Sequence, residues 1–133
     1  MDGDYFMRKG YAHLYDQHFD LAREAFLQAI ACNPTNPDYY FHASVTLHRN
    51  GQLQEALTLA ERAATLCPEN DLYRQHREEV IASLLVEDAK HWLSKRRYEE
   101  ALRCYAEAKM WDPLNEQASL GSEHLQSYGE EGI

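Results

Sequence analysis

The sequence predicts an all-α fold, an α-solenoid of three antiparallel helix pairs that ends in a capping helix. The main observation is a pattern of aromatic, small and proline residues that occurs three times along the chain. Its copies are Phe6, Gly10, Ala22, Phe26, Ala29 and Pro34; Tyr40, Ser44, Ala56, Ala60, Ala63 and Pro68; and Leu85, Ala89, Ala101, Tyr105, Ala108 and Pro113. The first two copies are 34 residues apart, and the last two are 45 residues apart. A repeat of this length indicates stacked helical units.

The proline that closes each copy supports the division into helix pairs. Pro34, Pro68 and Pro113 each follow a helical pattern. Proline lacks a backbone donor and restricts the residue before it, so we expect the second helix of each pair to end there. A single pair is too small to bury its own apolar face, and the pairs therefore gain stability by stacking on their neighbours.

The pattern resembles the tetratricopeptide repeat, a 34-residue helix-turn-helix unit with an aromatic residue, Leu-Gly, Tyr, Ala, Phe and Pro at fixed places. The corresponding residues are Phe6, Lys9-Gly10, His13, Ala22, Phe26 and Pro34 in the first copy, and Leu85, Asp88-Ala89, Trp92, Ala101, Tyr105 and Pro113 in the third. The segments FDLAREAF (19–26) and YEEALRCY (98–105) match best. The resemblance implies a right-handed superhelix with Trp92 in the core of the third pair, in which Gly10, Ser44 and Ala89 face Ala22, Ala56 and Ala101.

We expect a single domain over residues 1–133, because the repeats use nearly the whole chain. The spacing before the third copy is eleven residues longer than the 34-residue period. Eleven residues make about three helical turns, so an insertion of this length would keep the core-facing side of the next helix in phase. The expected parts are repeat 1 (3–36), repeat 2 (37–70), a helix extension (71–81), repeat 3 (82–115), and a capping helix with a tail (116–133).

The segment 71–95 contains no Gly or Pro, which predicts one helix, although a break near Gln75 would give two. Its first half is polar from Arg74 to Glu79. Such a stretch is either a solvated extension, fastened by Leu72 and Tyr73, or a surface for a partner or for self-association. We expect the extension to stand clear of the core.

The end of the chain predicts a helix that covers the apolar face of the last repeat. Terminal units of stacked repeats must be sealed from solvent. The residues on the expected apolar stripe are Leu114, Ala118, Gly121, Leu125 and Tyr128.

Charge and cysteine content exclude several classes of function. The chain carries 22 acidic and 13 basic residues, a net charge of -9, which disfavours a nucleic-acid partner. Three cysteines without a C-x-x-C pair predict thiols in a reducing compartment. The sequence has no apolar run long enough to span a bilayer, and its first ten residues do not have the pattern of a signal peptide. We therefore expect a cytoplasmic protein without membrane insertion.

The sequence offers no constellation for catalysis. An enzyme needs a converging nucleophile, base and oxyanion site, or a metal. The seven histidines form no H-E-x-x-H pattern, and the six glycines occur singly. We predict no enzymatic activity, no catalytic residues, no metal site and no cofactor.

The remaining possibility is a binding surface. In the family that this chain resembles, the first helix of each repeat lines a concave groove. The residues that the resemblance places there are Met7, Arg8, Tyr11, Leu14 and Tyr15; Phe41, His42, Val45, His48 and Arg49; and Val86, Glu87, Lys90, Leu93 and Ser94. We predict an aromatic and aliphatic peptide-binding groove whose main anchors, Tyr11, Tyr15, Phe41 and His48, have no intramolecular partner.

The best-known ligands of the family are the C-terminal carboxylate tails of heat-shock chaperones, which are held by Lys, Asn and Arg side chains. The corresponding residues of this chain are Met7, Tyr11, His42, Ser83 and Glu87, and none matches. A desolvated carboxylate beside Glu87 without cations is strongly disfavoured, so we exclude this ligand class.

The sequence thus favours a non-enzymatic adaptor or scaffold that binds a protein or peptide. The alternative is a dedicated chaperone for a secreted or assembly-prone client protein in bacteria. A chaperone is expected to co-purify with one client in stoichiometric amount, whereas an adaptor is expected to bind reversibly.

Overall fold

The computed structural model describes the backbone of residues 2–131 and the side chains of residues 2–127. Over this range the chain forms seven helices and no strand, which confirms the predicted all-α class. The Tyr128 side chain and the last two residues of the predicted tail lie outside the described part. The helices are α1 (Gly3–Tyr15), α2 (Phe19–Cys32), α3 (Pro37–Arg49), α4 (Leu53–Leu66), α5 (Asp71–Ser94), α6 (Tyr98–Trp111) and α7 (Glu116–Glu131).

The helices form two compact units. The first unit extends to Arg77 and contains the pairs α1/α2 and α3/α4, which meet through α2 and α3, together with the first two turns of α5. The second unit begins at Glu78 and contains the rest of α5 with α6 and α7.

The core of the first unit depends on small residues where paired helices cross. Ala22 and Ala56 are completely buried, and Phe26 is 1% exposed. The Phe26 ring lies directly on Gly10, since a Cβ atom at Gly10 would be 2.6 Å from that ring. In the second pair, Ser44 Oγ donates a hydrogen bond of 2.6 Å to the carbonyl of Ala56. Ser44 therefore faces Ala56 as predicted.

The second unit repeats this packing with different partners. Its buried cluster joins Val86 and Ala89 of α5, Tyr105 of α6 and Ala118 of α7. Tyr105 lies against Gly121, where a Cβ atom would be 2.5 Å from the ring. Helix α7 therefore covers the apolar face of α5 and α6, as the sequence predicts. The expectation that Leu114 belongs to its apolar stripe is wrong, because Leu114 precedes α7 and is 90% exposed.

Trp92 is not the core residue that the sequence predicts. It is only partly buried, with the Arg97 guanidinium 5.8 Å from its ring and a hydrogen bond to the thiol of Cys104. Among the described side chains of this unit, the buried aromatic one is instead Tyr105.

Helix α5 is one continuous helix, as the absence of Gly and Pro predicts. Asn70 begins it by accepting hydrogen bonds from the backbone amides of Leu72 and Tyr73, at 2.9 and 3.2 Å. The expectation that its first turns stand clear of the core is wrong, because Tyr73 and His76 are 4% and 6% exposed. The other residues of the segment 71–76 face solvent.

A tyrosine-aspartate hydrogen bond recurs at the start of the first helix of each repeat. The Tyr39 hydroxyl of α3 donates to Asp4 of α1 at 2.6 Å, and the Tyr73 hydroxyl of α5 donates to Asp38 of α3. The bond to Asp4 raises the pKa of Tyr39 to about 12, and burial together with Asp38 raises the pKa of Tyr73 further. Both donors and both acceptors are 34 residues apart, so the first turns of α5 continue the regular repeat.

Buried His76 fastens the beginning of α5 to the second helix pair. Its Nε2 atom lies 2.8 Å from Ser44 Oγ. Because the single hydroxyl proton of Ser44 is donated to Ala56, His76 must be the donor in this contact. Burial, and to a smaller degree the neighbouring His48, lower the pKa of His76 to about 4.

The turns within the three helix pairs share a left-handed residue. Gln17, Gly51 and Arg96 have φ angles of 62°, 79° and 58°. The next amide bonds back across each turn, as in His18 N–H to His13 C=O at 2.8 Å and Arg97 N–H to Trp92 C=O at 2.9 Å. This is the helix C-terminal motif that favours glycine.

Gln17→Gly and Arg96→Gly are each expected to raise the free energy of unfolding by up to about 1 kcal/mol. An L-residue pays about 1–2 kcal/mol in this conformation, and the greater chain entropy of unfolded glycine offsets part of that gain. Urea denaturation followed by circular dichroism measures the change. The matched control is Gly51→Ala, which should destabilise through φ alone, since nothing lies within 4 Å of the added Cβ. Destabilisation by both glycine variants would contradict the common turn geometry.

Stability is expected to depend on the protonation of His76. Its pKa is depressed in the folded state, so its contribution is fully present above the unfolded value of about 6.5 and declines as the pH falls toward about 4. Urea denaturation at several pH values between 7 and 4 should show a steeper loss for the wild type than for His76→Gln, which cannot titrate. Parallel pH profiles would show that His76 is not buried in the neutral form.

Candidate functional site

The first unit presents a strip of side chains from α1 and α3. It consists of Arg8, Tyr11 and Tyr15 on α1 and of His42, Val45 and Arg49 on α3. The spacing of three and four residues places each set on one helix face, and the two sets are related by the 34-residue period. The rings of Tyr11 and His42 are 6.1 Å apart, so the two sets adjoin. We call these six residues the α1/α3 strip.

The two tyrosines carry most of the exposed apolar surface of the strip. Tyr15 is 90% exposed and Tyr11 is 44% exposed. The Tyr11 and Phe26 rings form a T-shaped pair, at 5.2 Å between centroids. Burial raises the pKa of Tyr11, against an opposing effect of Arg49. Tyr11 is therefore a neutral side chain that is held on one side and open on the other.

An open pocket of about 240 Å³ adjoins the strip at the ends of α1 and α3. Leu14 and Phe19 are its apolar wall residues, and both are partly buried. Buried Thr46 uses its hydroxyl to donate to the His42 carbonyl at 3.1 Å. Exposed Arg49 and Asn50 complete the lining. We call this the Leu14 pocket.

Three predicted anchors of the groove have intramolecular partners after all, and the first is Tyr11, whose ring contacts Phe26. The Phe41 ring contacts Tyr73 at 5.1 Å and His76 at 5.3 Å, and the His48 ring contacts His76 at 5.7 Å. The expectation that these anchors lack such partners is therefore wrong. For Phe41 and His48 it failed because the sequence analysis assigned Tyr73 and His76 to a projecting extension.

The other predicted site residues differ in accessibility. Met7 is 7% exposed and belongs to the core cluster with Phe26. Val45 and His42 are partly buried, and Arg49 is exposed. In the second unit, exposed Lys90 forms an ion pair with Glu87 at 3.4 Å.

The sequence analysis did not name three residues of the Leu14 pocket: Phe19, Thr46 and Asn50. Phe19 begins α2 and Asn50 follows α3, so both lie at turns between helices. A search limited to the faces of first helices omits such residues. Their position beside the turns was the signal that could have indicated them, since the ends of α1 and α3 and the start of α2 together line the pocket.

The described residues provide little for chemistry. Among the side chains of residues 2–127, no group of three or more His, Cys, Asp or Glu is arranged to hold a metal ion. The Cys67 thiol donates to Glu69 at 3.2 Å, and this hydrogen bond raises its pKa and keeps it protonated. None of the described helices has both the length and the apolarity to cross a membrane.

Comparison with protein families identifies one match. The model of the tetratricopeptide repeat family matches residues 7–71, all of which lie within the first unit. No curated protein sequence matches the chain significantly.

Comparison with solved structures extends the similarity to the rest of the fold. The tetratricopeptide repeat domain of Arabidopsis OM64 aligns with a TM-score of 0.53 and 20% identity, covering 95% of each chain. The first such domain of Spaghetti (RPAP3), bound to an HSP90 peptide, aligns with a TM-score of 0.55 and 15% identity over 96% of this chain and 92% of that one. The Sgt2 domain from Aspergillus fumigatus aligns with a TM-score of 0.50 and 18% identity over 98% and 80%.

These similarities agree with the antiparallel helix pairs of the fold. Residues 7–71 are thus similar to the tetratricopeptide repeat family, and the described chain has the fold of tetratricopeptide repeat domains.

Proposed function

We propose that this chain is a non-enzymatic protein interaction module that binds a peptide segment of a partner protein along the α1/α3 strip. The observation that supports the proposal most is Tyr15, an aromatic side chain that is 90% exposed on a helix face shared with Tyr11. Large apolar side chains that a soluble fold leaves exposed together often mark an interaction surface.

The chemistry of the strip suits a peptide ligand. Tyrosine buries a large area while few rotamers are frozen, and its hydroxyl can still find a hydrogen-bond partner. Tyr11 is already held against Phe26, so binding there immobilises little additional freedom. Val45 supplies aliphatic surface, and Arg8 and Arg49 place positive charge on the strip.

Two structural neighbours bind acidic peptides: the first domain of Spaghetti (RPAP3) with the HSP90 peptide SRMEEVD, and the second domain of human RPAP3 with the HSP70 peptide SGPTIEEVD. We propose that this chain does not hold a C-terminal tail in the manner that its family uses for chaperones. At the corresponding positions of the first unit, Met7 is buried, and Tyr11 and His42 supply neither a lysine nor an asparagine side chain.

We further propose a cytoplasmic location. Cys32, Cys67 and Cys104 form no disulfide, as is usual for proteins of a reducing compartment.

Tyr15→Ala and Tyr11→Ala are each expected to weaken binding of the native partner by roughly 1–3 kcal/mol, the range of interface anchors. The partner is first captured from the native host and identified by mass spectrometry, and the affinities of purified proteins are then measured by calorimetry. Tyr15→Ala should leave the thermal midpoint unchanged, because its side chain is 90% exposed. Phe41 is unsuitable for this test, since its contacts with Tyr73 and His76 make its removal destabilising.

The matched control is Leu114→Ala, an equally exposed apolar residue outside the strip. It should change neither affinity nor stability. Normal partner binding by both tyrosine variants would refute the strip as the binding surface. Co-purification in stoichiometric amount with one aggregation-prone client would instead favour the dedicated-chaperone alternative.

A further inference from the structure

We propose that the Leu14 pocket selects partner segments in which a leucine-sized apolar side chain is followed by an acidic side chain. The inference rests on the proposed function, because the pocket adjoins the strip that would hold the segment. The inference extends the proposed function by naming the class of ligand that this end of the strip would recognise.

The apolar part of the pocket accounts for the first half of the proposal. Its volume of about 240 Å³ accommodates an aliphatic side chain. Leu14 and Phe19 provide the apolar contacts, and the Thr46 hydroxyl is already satisfied by the carbonyl of His42. Because the single hydroxyl proton of Thr46 is already donated, an acceptor group placed beside it would lose its water without gaining a donor, so an aliphatic side chain is favoured.

The charge at the mouth accounts for the second half. Arg49 is exposed and is the only charged residue among the five that line the pocket. It takes part in none of the ion pairs that the structure shows among the described residues. Its guanidinium is therefore available to a carboxylate of a ligand, and the amide of Asn50 can add a hydrogen bond.

The acidic group is assigned to a neighbouring side chain and not to a free C-terminus. A terminal carboxylate is attached to the residue that fills the pocket, so it would be drawn toward Leu14 and Phe19 and lose hydration. A glutamate side chain from the next residue can remain at the exposed guanidinium, where hydration is retained.

The test uses the intact ¹⁵N-labelled chain and three small probes: N-acetyl-leucyl-glutamate amide, N-acetyl-leucyl-glutamine amide and N-acetyl-leucine. Amide shifts of Leu14, Thr46, Arg49 and Asn50 report occupancy of the pocket during each titration. The glutamate probe is expected to bind about threefold to fivefold more tightly than the glutamine probe, as expected for an exposed ion pair. Raising the salt concentration should reduce this difference.

Arg49→Gln should make the two amide probes bind equally. The control Arg62→Gln removes an arginine of α4 that lies over the Tyr40 ring. It should preserve the preference for the glutamate probe. The inference is overturned if the probes shift no pocket amide, if glutamate and glutamine bind the wild type equally, or if N-acetyl-leucine binds most tightly. If one of these results is obtained while Tyr15→Ala still weakens the native partner, the ligand class fails and the proposed function stands.

Discussion

The close approach of paired helices is the constraint on which the structure depends. The helices of each pair can approach closely only where the side chains are small. Ala22, Ala56 and Ala101 are completely buried at these crossings. Larger side chains then fill the space that remains: Phe26 lies on Gly10, and Tyr105 lies on Gly121. Because each glycine supports an aromatic ring directly, a methyl group at either position would displace the core residue that it supports.

A second set of contacts joins one repeat to the next. Tyr39 and Tyr73 each bond to an aspartate 35 residues earlier in the chain, and His76 donates to the second helix pair through Ser44. These hydrogen bonds form only at one alignment of the helices along their axes. The alanine contacts are less specific, because a helix face of alanines can shift by one turn and still pack. The tyrosines and His76 therefore fix how α1, α3 and the start of α5 follow one another. This order brings Tyr11 beside His42 and so creates the strip.

The helix pairs and their turns could be predicted because their signals recur. Small residues and prolines return at fixed spacing, and the left-handed turn residues fall at equivalent positions even though only Gly51 is a glycine. The docking of α5 was missed because the third copy was aligned backwards from Pro113, which made Tyr73 and His76 look like parts of a polar extension. Alignment forwards from Tyr39 would have predicted the burial of Tyr73.

The candidate site was less accessible to sequence reasoning. Tyr11, Tyr15 and Arg49 could be named from helix periodicity, but exposure depends on what the neighbouring helix covers. Met7 occupies a position similar to theirs in the pattern and is nevertheless buried against Phe26. The Leu14 pocket is formed by the ends of three helices, so no single periodic pattern contains it.

Hydrogen-deuterium exchange of the chain with and without its captured partner tests the central claim most directly, because it reports on every described helix at once. The account predicts slower exchange on binding in the segments 8–15 of α1 and 42–50 of α3, with little change in α2 or α4. Protection confined to α2, α4 or the unit beginning at Glu78, with none in α1 and α3, would contradict the assignment of the α1/α3 strip as the binding surface.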